Sequence, residues 1–503
     1  MANKDVLDFP EVTDRDPDDI FYNIRGSGSG SDKKIQTENL FIVKIEDQTG
    51  FNSIIEYVSA NRYKIIDSVI GVDMAYLAGG YQMAGATSPL SGGDLWGYIE
   101  TNNCKNIKCD MGTFIDYSTT EGYFSVNTAG FYISNLELRG DISTASAVSY
   151  GFQFTSAAID GVFFNCIVSN RKTNHSSFTG FGGSAATAAA VRSTKLINCV
   201  VREIHITTTT PIFCYCFKWC NNLLNCEVNG IYADDTATAN YIYTFYYCSK
   251  LNNILISNID SYFRIYGIGF CTSISNVKFH NIGDAARALS RMRLITNCSE
   301  VSNIIIDEAN CTTGSLALFS ASQCINNIKI SNVTGSTVYC FDTCKNISAS
   351  NVLGVVSSGE CDTFRTCIDI TACHADDIVS TGTVSLVGFI YCENISASMA
   401  SNIVSTTGRA FGFYNCNYLS GCLIDTITGK HTSAVTGFYG SDYLTGCYTN
   451  TVSNVGTGSA EGFTNCLHVS SVSSTEALNA GNNFVDSDAA AIGTNFSCAA
   501  VFT

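Results

Sequence analysis

Apolar positions along most of the chain recur in one order about every 25 residues. The clearest copies are "GFYNCNYLSGCLIDTI" (412–427) and "GFYGSDYLTGCYTNTV" (437–452). A small residue anchors each copy: Ser193, Cys220, Cys248, Cys271, Cys298, Ser322, Cys344, Cys367, Cys392, Cys416, Ser441 and Cys466, spaced 22 to 28 residues apart. Three positions before it the chain favours Phe, as in Phe217, Phe245, Phe319, Phe341, Phe364, Phe389, Phe413, Phe438 and Phe463. Three after it an aliphatic residue stands, for example Leu223, Ile274, Ile347, Leu419 and Val469. Six after it come Cys199, Cys226, Ile254, Val277, Ile304, Ile328, Cys373, Cys422 and Cys447. Eight after it are Val201, Ile256, Ile306 and Ile424, and eleven after it Ile204, Ile231, Ile259, Ile282, Ile378, Ile403 and Ile427.

Positions +6 and +8 share one face of a strand, because side chains alternate. Steps of three, from 0 to +3 to +6 and from +8 to +11, require a bend that turns the next side chain inward. Position +5 supplies it with Asn198, Asn225, Asn253, Asn276, Asn303, Asn327, Gly421 and Gly446. Position +10 does the same with Gly230, Asn258, Asn281, Asn332 and Asn402. Asn and Gly tolerate the left-handed backbone of a sharp corner. The pattern predicts an all-β chain: a right-handed, single-stranded parallel β-helix of about 16 coils over residues 96–503, each coil stacked on the next at about 4.8 Å. A leucine-rich repeat would show Leu-x-x-Leu-x-Leu runs with helical spacers, which are absent. In this reading the cysteines are ladders of small buried side chains. Ahead of the rod, 41–95 reads as a capping or transition segment, with a short helix expected within 51–71.

The chain is 46% hydrophobic and 14% charged, with a formal charge of −16. That balance argues against nucleic acid and against an anionic membrane surface as partners. No apolar run approaches the ~20 residues of a membrane span, so no membrane insertion is expected. The acidic start "MANKDVLDFPEVTDRDPDD" is no Sec-type signal, so synthesis and folding in a cytoplasm are expected. With that compartment, the 24 cysteines do not imply a disulfide framework. "RGSGSGSDKK" (25–34) has the composition of a flexible linker.

The first 40 residues carry a further signal in "LDFPEV…DDIFYNIRGS…DKKIQTENLF". Pro10, Asp19, Phe21, Ile24, Gly26, Asp32, Lys34, Ile35, Asn39 and Leu40 make this stretch resemble the attachment segment of bacteriophage tail fibres and tailspikes. Phe9, where Leu is commoner, and the Gly-Ser run depart from that pattern. The resemblance implies a virion tail protein assembled in the host cytoplasm. It would join the tail or baseplate through 1–40 and form a homotrimer. It would recognise a host surface polysaccharide, and some such proteins also cleave it as a glycoside hydrolase or lyase. A purely structural tail or baseplate component is the third possibility.

For chemistry, the sequence offers little. Cys214, Cys216, Cys220 and Cys226 are dense, but no Cys-x-x-Cys pair occurs, so no metal site is expected, and no cofactor. His175, His205, His280, His374, His431 and His468 are scattered, and no G-x-S-x-G elbow exists. Basic residues do not cluster along the chain. The candidate catalytic pair is Asp376 and Asp425, both at position +9 and two coils apart. Their backbones would lie about 9.6 Å from each other, close to the roughly 6.5–9.5 Å of inverting glycosidases. The alternative is that both cap a corner. Tyr241, Tyr243, Tyr246, Tyr262, Tyr266, Trp96 and Trp219 are candidates for stacking on sugar rings.

Overall fold

The computed structural model describes residues 130–478 apart from 141–149, 155–159, 174–176, 184–193, 208–212, 234–240, 263, 284–288, 433 and 471. Outside that span it describes strands Ile42–Ile45, Met74–Leu77, Gly80–Gln82, Asn106–Asp116, Phe124–Val126, Phe484–Val485 and Ser497–Cys498. The attachment segment 1–40 and the expected helix at 51–71 lie outside the described residues. So does Trp96.

The described residues form an all-β parallel solenoid of about 12 turns with about 25 residues per turn. One coil consists of Cys361–Arg365, Ile368–Thr371 and His374–Ser380. The next repeats it with Leu386–Ile390, Glu393–Ser396 and Met399–Ser405, the last broken at Ser401–Asn402. Each strand pairs in parallel with its counterpart one coil on. Three ladders result, here called the phenylalanine, anchor and isoleucine faces after the residues they turn inward. Strands 42–45 and 74–77 pair in the same parallel sense, so the register reaches back into 41–95.

Most inward steps of three contain one left-handed residue; Ile424 to Ile427 and Thr449 to Val452 make the step without one. Asn253, Asn276, Asn303 and Asn327 at +5 have φ of 54–55°. Asn258, Asn281, Asn332 and Asn402 at +10 have φ of 47–55°. Two further corners mix Asn and Gly (Asn297, Asn415, Gly440 and Asn465 at −1; Asn222, Asn346 and Asn394 at +2) with other residues. At −1 the others include Trp219, Tyr247, Thr343 and Thr366, and at +2 Lys250, Cys324, Tyr418 and Tyr443, all with φ between 51 and 61°. The Asn corners are also tied across coils: Asn198 donates to Asn165 at 2.9 Å, Asn225 to Asn198 at 3.0 Å and Asn253 to Asn225 at 2.7 Å.

Inside, equivalent side chains stack. Phe319, Phe341, Phe364, Phe389, Phe413, Phe438 and Phe463 form one column with centroids 4.5–4.9 Å apart and planes within 14°. Such ring pairs contribute about 0.5–1.5 kcal/mol each beyond their burial. Gly412 faces the core beside this column. A Cβ there would lie 2.9 Å from the Gly437 carbonyl oxygen, a backbone atom that cannot give way as Ile424 Cδ1 could.

The cysteines are ladder residues with a bonding role. The Cys248 thiol donates to the Phe217 carbonyl one coil back and to Tyr246, both near a corner. Cys367, Cys392, Cys416 and Cys466 repeat this with Phe341, Phe364, Phe389 and Phe438. Ser322 and Ser441 bond the same nearby carbonyl with a hydroxyl, which explains why Ser replaces Cys there. Among the described residues every cysteine is a free thiol, and all but Cys324 are buried. Burial pushes the thiols of Cys166 and Cys466 up to about 12.

One anchor is shifted. The Asn221 N–H bonds to Thr194 O just as the Ser249 N–H bonds to Cys220 O. Thr194, fully buried, therefore holds the place assigned to Ser193, which itself lies outside the described residues. A register shift between Lys195 and Leu196 absorbs the difference.

Candidate functional site

Asp376 and Asp425 lie on the isoleucine face. Ala375, Ala400 and Ile424 are in register, so Asp376, Ser401 and Asp425 follow one another in one file. Ser401 is buried and fills the step between the carboxylates. Its hydroxyl donates to Asp376 Oδ1 at 2.5 Å and meets His374 Nε2 at 3.1 Å. Asn402 Nδ2 donates to Asp376 at 2.9 Å, and Asn450 Nδ2 to Asp425 at 2.9 Å. Both acids thus serve as acceptors for polar side chains of the following coil. Burial holds His374 below the usual histidine range, against the pull of Asp376 and then Asp425.

A different surface brings more chemistry together. On the phenylalanine face, positions −7, −5 and −2 point outward. In register along the rod, position −7 carries Phe213, Tyr241, Arg264 and Arg291. Position −5 carries Tyr215, Tyr243, Tyr266 and Arg293, and position −2 begins with Lys218 and Tyr246. The rings form files. Phe213 stacks on Tyr241 at 5.0 Å, Tyr215 on Tyr243 at 5.3 Å, and Tyr243 on Tyr266 at 4.9 Å. At the −1 corner Trp219, Tyr247 and Phe270 stack at 4.2 and 4.9 Å. Phe213 and Phe270 are 40% and 42% exposed, large values for phenylalanine.

Cations are interleaved with these rings. Lys218 Nζ lies 3.9 Å from the Tyr215 centroid, and the Arg264 guanidinium 4.9 Å from that of Tyr241. Arg264 also donates to the Tyr241 hydroxyl at 2.5 Å. Burial lowers the Lys218 ammonium pKa, and raises the Tyr215 and Tyr246 phenols to about 12. The expectation that basic residues do not cluster is thereby corrected: residues 23–27 apart in sequence become neighbours one coil apart. Tyr241, Tyr243, Tyr246, Tyr266 and Trp219 were legible as ring candidates. Phe213, Tyr215, Tyr247, Phe270 and the four cations were not, although reading positions −7, −5 and −2 as outward files would have found most of them.

Two coils further on, the same face turns acidic. After Ser315, Ala317 and Ser320 come Tyr339 and Asp342, then Glu360, Asp362 and Arg365. The Tyr339 hydroxyl donates to Glu360 Oε2 at 2.8 Å, and Arg365 lies 4.4 Å over the Tyr339 ring. Asp362 is 1% exposed, and burial, then the Glu360 charge, raises its pKa to about 8. It therefore keeps its proton at neutral pH, beside the Glu360 carboxylate.

A third feature is a shallow groove of about 670 Å³ over the +5 asparagines, flanked by Glu227, Leu255, Lys278, Ile305 and Lys329. Its asparagine amides are largely spent on one another. Among the described residues no group of three or more His, Cys, Asp or Glu is arranged to hold a metal ion.

Neither a protein-family model nor a curated protein matches the sequence. Solved structures with a similar course of chain include the A-module of the Azotobacter vinelandii mannuronan C-5 epimerase AlgE6, at 12% identity, covering 91% of this chain and 96% of that one, with a TM-score of 0.23. The catalytic domain of a GH87 alpha-1,3-glucanase in complex with nigerose follows at 9% identity, 84% and 68% coverage, and a TM-score of 0.18. The periplasmic alginate epimerase AlgG has 9% identity, 84% and 76% coverage, and a TM-score of 0.15. Likenesses of this order carry nothing about activity.

Proposed function

We propose that the rod is a virion tail receptor-binding protein that holds a host surface polysaccharide along the outward side of its phenylalanine face. The observation that carries this reading is the file of stacked, solvent-reaching rings from Phe213 to Phe270. Flat apolar rings with polar edges match the apolar faces and hydroxyl rims of sugars. Straight files spaced by the coil repeat suit an extended chain rather than a compact ligand. The tail-attachment role rests on the resemblance of residues 1–40, and the homotrimer on the same resemblance.

Affinity electrophoresis in gels containing candidate host polysaccharides tests the reading. Tyr243→Ala should weaken retardation by at least about fivefold, the equivalent of roughly 1 kcal/mol for one ring contact. Equal retardation of wild type and Tyr243→Ala would remove this face from the function. Deleting residues 1–40 should leave polysaccharide binding intact and abolish assembly onto particles; normal assembly would remove the attachment role.

Cleavage of the bound glycan is a second reading, favoured by the protonated Asp362 three coils beyond Arg293 on the same face. Through Glu360, its half-buried partner, the pair could deliver a proton to a glycosidic oxygen. New reducing ends appearing in a retarded polysaccharide, and absent with Glu360→Gln, would support it.

A further inference from the structure

We infer that the glycan seated on this face is anionic, with its carboxylate or sulfate groups on Arg291, Arg293, Arg264 and Lys218. This rests on the reading that the face binds a glycan, and adds the class of glycan. The chain as a whole carries 44 acidic and 28 basic residues. Against that background, the strands of this face from Phe213 to Ser320 contain four cations and no Asp or Glu. A stretch this free of acids in so acidic a protein is a local departure, and charges more than about 8–10 Å away are screened at physiological salt.

The arrangement of the cations points the same way. Arg264 and Arg291 are direct partners across one coil step, as are Tyr266 and Arg293. Among the described residues no carboxylate is paired with Arg291 or Arg293, although the chain has acids to spare. Two guanidinium groups at −7 and −5 of one coil, next to Tyr266, form an adjacent ring-and-fork pair. Guanidinium forks bind oxyanions in bidentate fashion, which a neutral hydroxyl cannot reciprocate.

The footprint is bounded. The Ser315, Ala317 and Ser320 coil is small and uncharged, and beyond it stand Asp342 and Glu360. Arg365 is the one described cation on this face of these two coils, so the acid-free, cation-lined stretch ends before them. The favourable stretch therefore runs from the Phe213 coil to the Ser315 coil, four steps, or about 19 Å.

The test is binding of the full chain to three probe polymers, dextran, polygalacturonate and dextran sulfate, together with polysaccharide purified from candidate hosts. It is run at about 50 mM and about 500 mM salt. The uronate and sulfate arms separate the two anion sources. The expected result is that every retained polymer is anionic and that its affinity falls several-fold at the higher salt. Arg291→Gln with Arg293→Gln should reduce affinity by at least about tenfold and flatten the salt dependence. Lys329→Gln, in the distant groove, should leave both unchanged, and matched melting curves establish that the double variant is folded. A retained glycan that is neutral, or one whose affinity ignores both salt and the double variant, overturns the inference while leaving glycan binding in place. Retention of no polymer at all overturns both.

Discussion

Asp362 offers the most direct measurement of the fold's electrostatics. Its carboxyl is 1% exposed and its pKa is raised from 3.8 to about 8, first by burial and then by the charge of Glu360. Arg365 works against the shift. The other titratable groups around it are Asp342, Tyr339, Cys340 and Cys361, and the tyrosine and both thiols are themselves pushed upward by burial. Because the folded-state pKa lies above the unfolded one, the folded protein binds this proton more tightly. Its contribution is neutral to the fold below about pH 4 and increasingly destabilising as pH rises to about 8, then constant. A rise from 3.8 to about 8 corresponds to roughly 5 kcal/mol. Asp362→Asn removes the titration and keeps the shape. Denaturant unfolding of wild type and variant at intervals between pH 4 and pH 9 isolates the effect. The two should be close near pH 4, and the variant more stable by several kcal/mol near pH 8. A difference between them that does not change with pH would refute the reasoning.

Three further outcomes follow from the coil geometry. Asn303, at φ 54°, sits in a left-handed corner, so Asn303→Val should destabilise by roughly 1–2 kcal/mol more than Asn303→Gly in thermal melts; equal effects would remove strain as the reason for the asparagine. Cys367→Ser should cost less than about 1 kcal/mol, since Ser322 and Ser441 make the equivalent bond, whereas Cys367→Leu should cost about 1–3 kcal/mol by overpacking; native alkylation followed by mass spectrometry should label Cys324 and spare the other described cysteines. Asp376→Asn and Asp425→Asn should change stability and glycan binding little, because an amide oxygen still accepts from Asn402 and Asn450; loss of a cleavage activity in either variant would instead restore the pair as acid and base.

How much of this was legible in the sequence depended on which way a side chain points. Inward positions recur because a core accepts few residue types, so Phe389, Cys392, Ile395 and Ile403 announce their coil. The corners at +5 and +10 were legible because Asn and Gly enter the left-handed region cheaply. The corners at −1 and +2 were less so, since Trp219, Thr343, Thr366 and Tyr418 stand there among Asn297, Asn415, Asn346 and Asn394 and dilute the signature. Thr343 and Thr366 are the extreme cases, being β-branched. Each immediately precedes an anchor, Cys344 or Cys367, that is wholly buried and bonded, so tertiary packing offsets the local strain. The misplaced Ser193 had a different cause. A one-residue shift between Lys195 and Leu196 cannot be seen in spacing that already varies by several residues.

The outward files escape the sequence for a complementary reason, and that reason bears on function. Phe319, Phe341 and Phe364 stack without a break, so the interior is the same in all three coils. Over the same interval the outer surface passes from Ser315, Ala317 and Ser320 through Tyr339 and Asp342 to Glu360, Asp362 and Arg365. A coil can therefore change its outward chemistry with little change to the core that fixes its position. The cost of such a change is local, because each coil contacts chiefly its two neighbours. Cations beside aromatic rings and a carboxyl pair can then stand three coils, or roughly 14 Å, apart on one straight face. In a globular core a buried acid like Asp362 would disturb packing on all sides. Here it stands in register with Tyr339 one coil back, and the column of phenylalanines is intact in the same coils. That separation of inner scaffold from outer chemistry is what lets one repeat carry both a ligand-binding strip and a proton held at neutral pH.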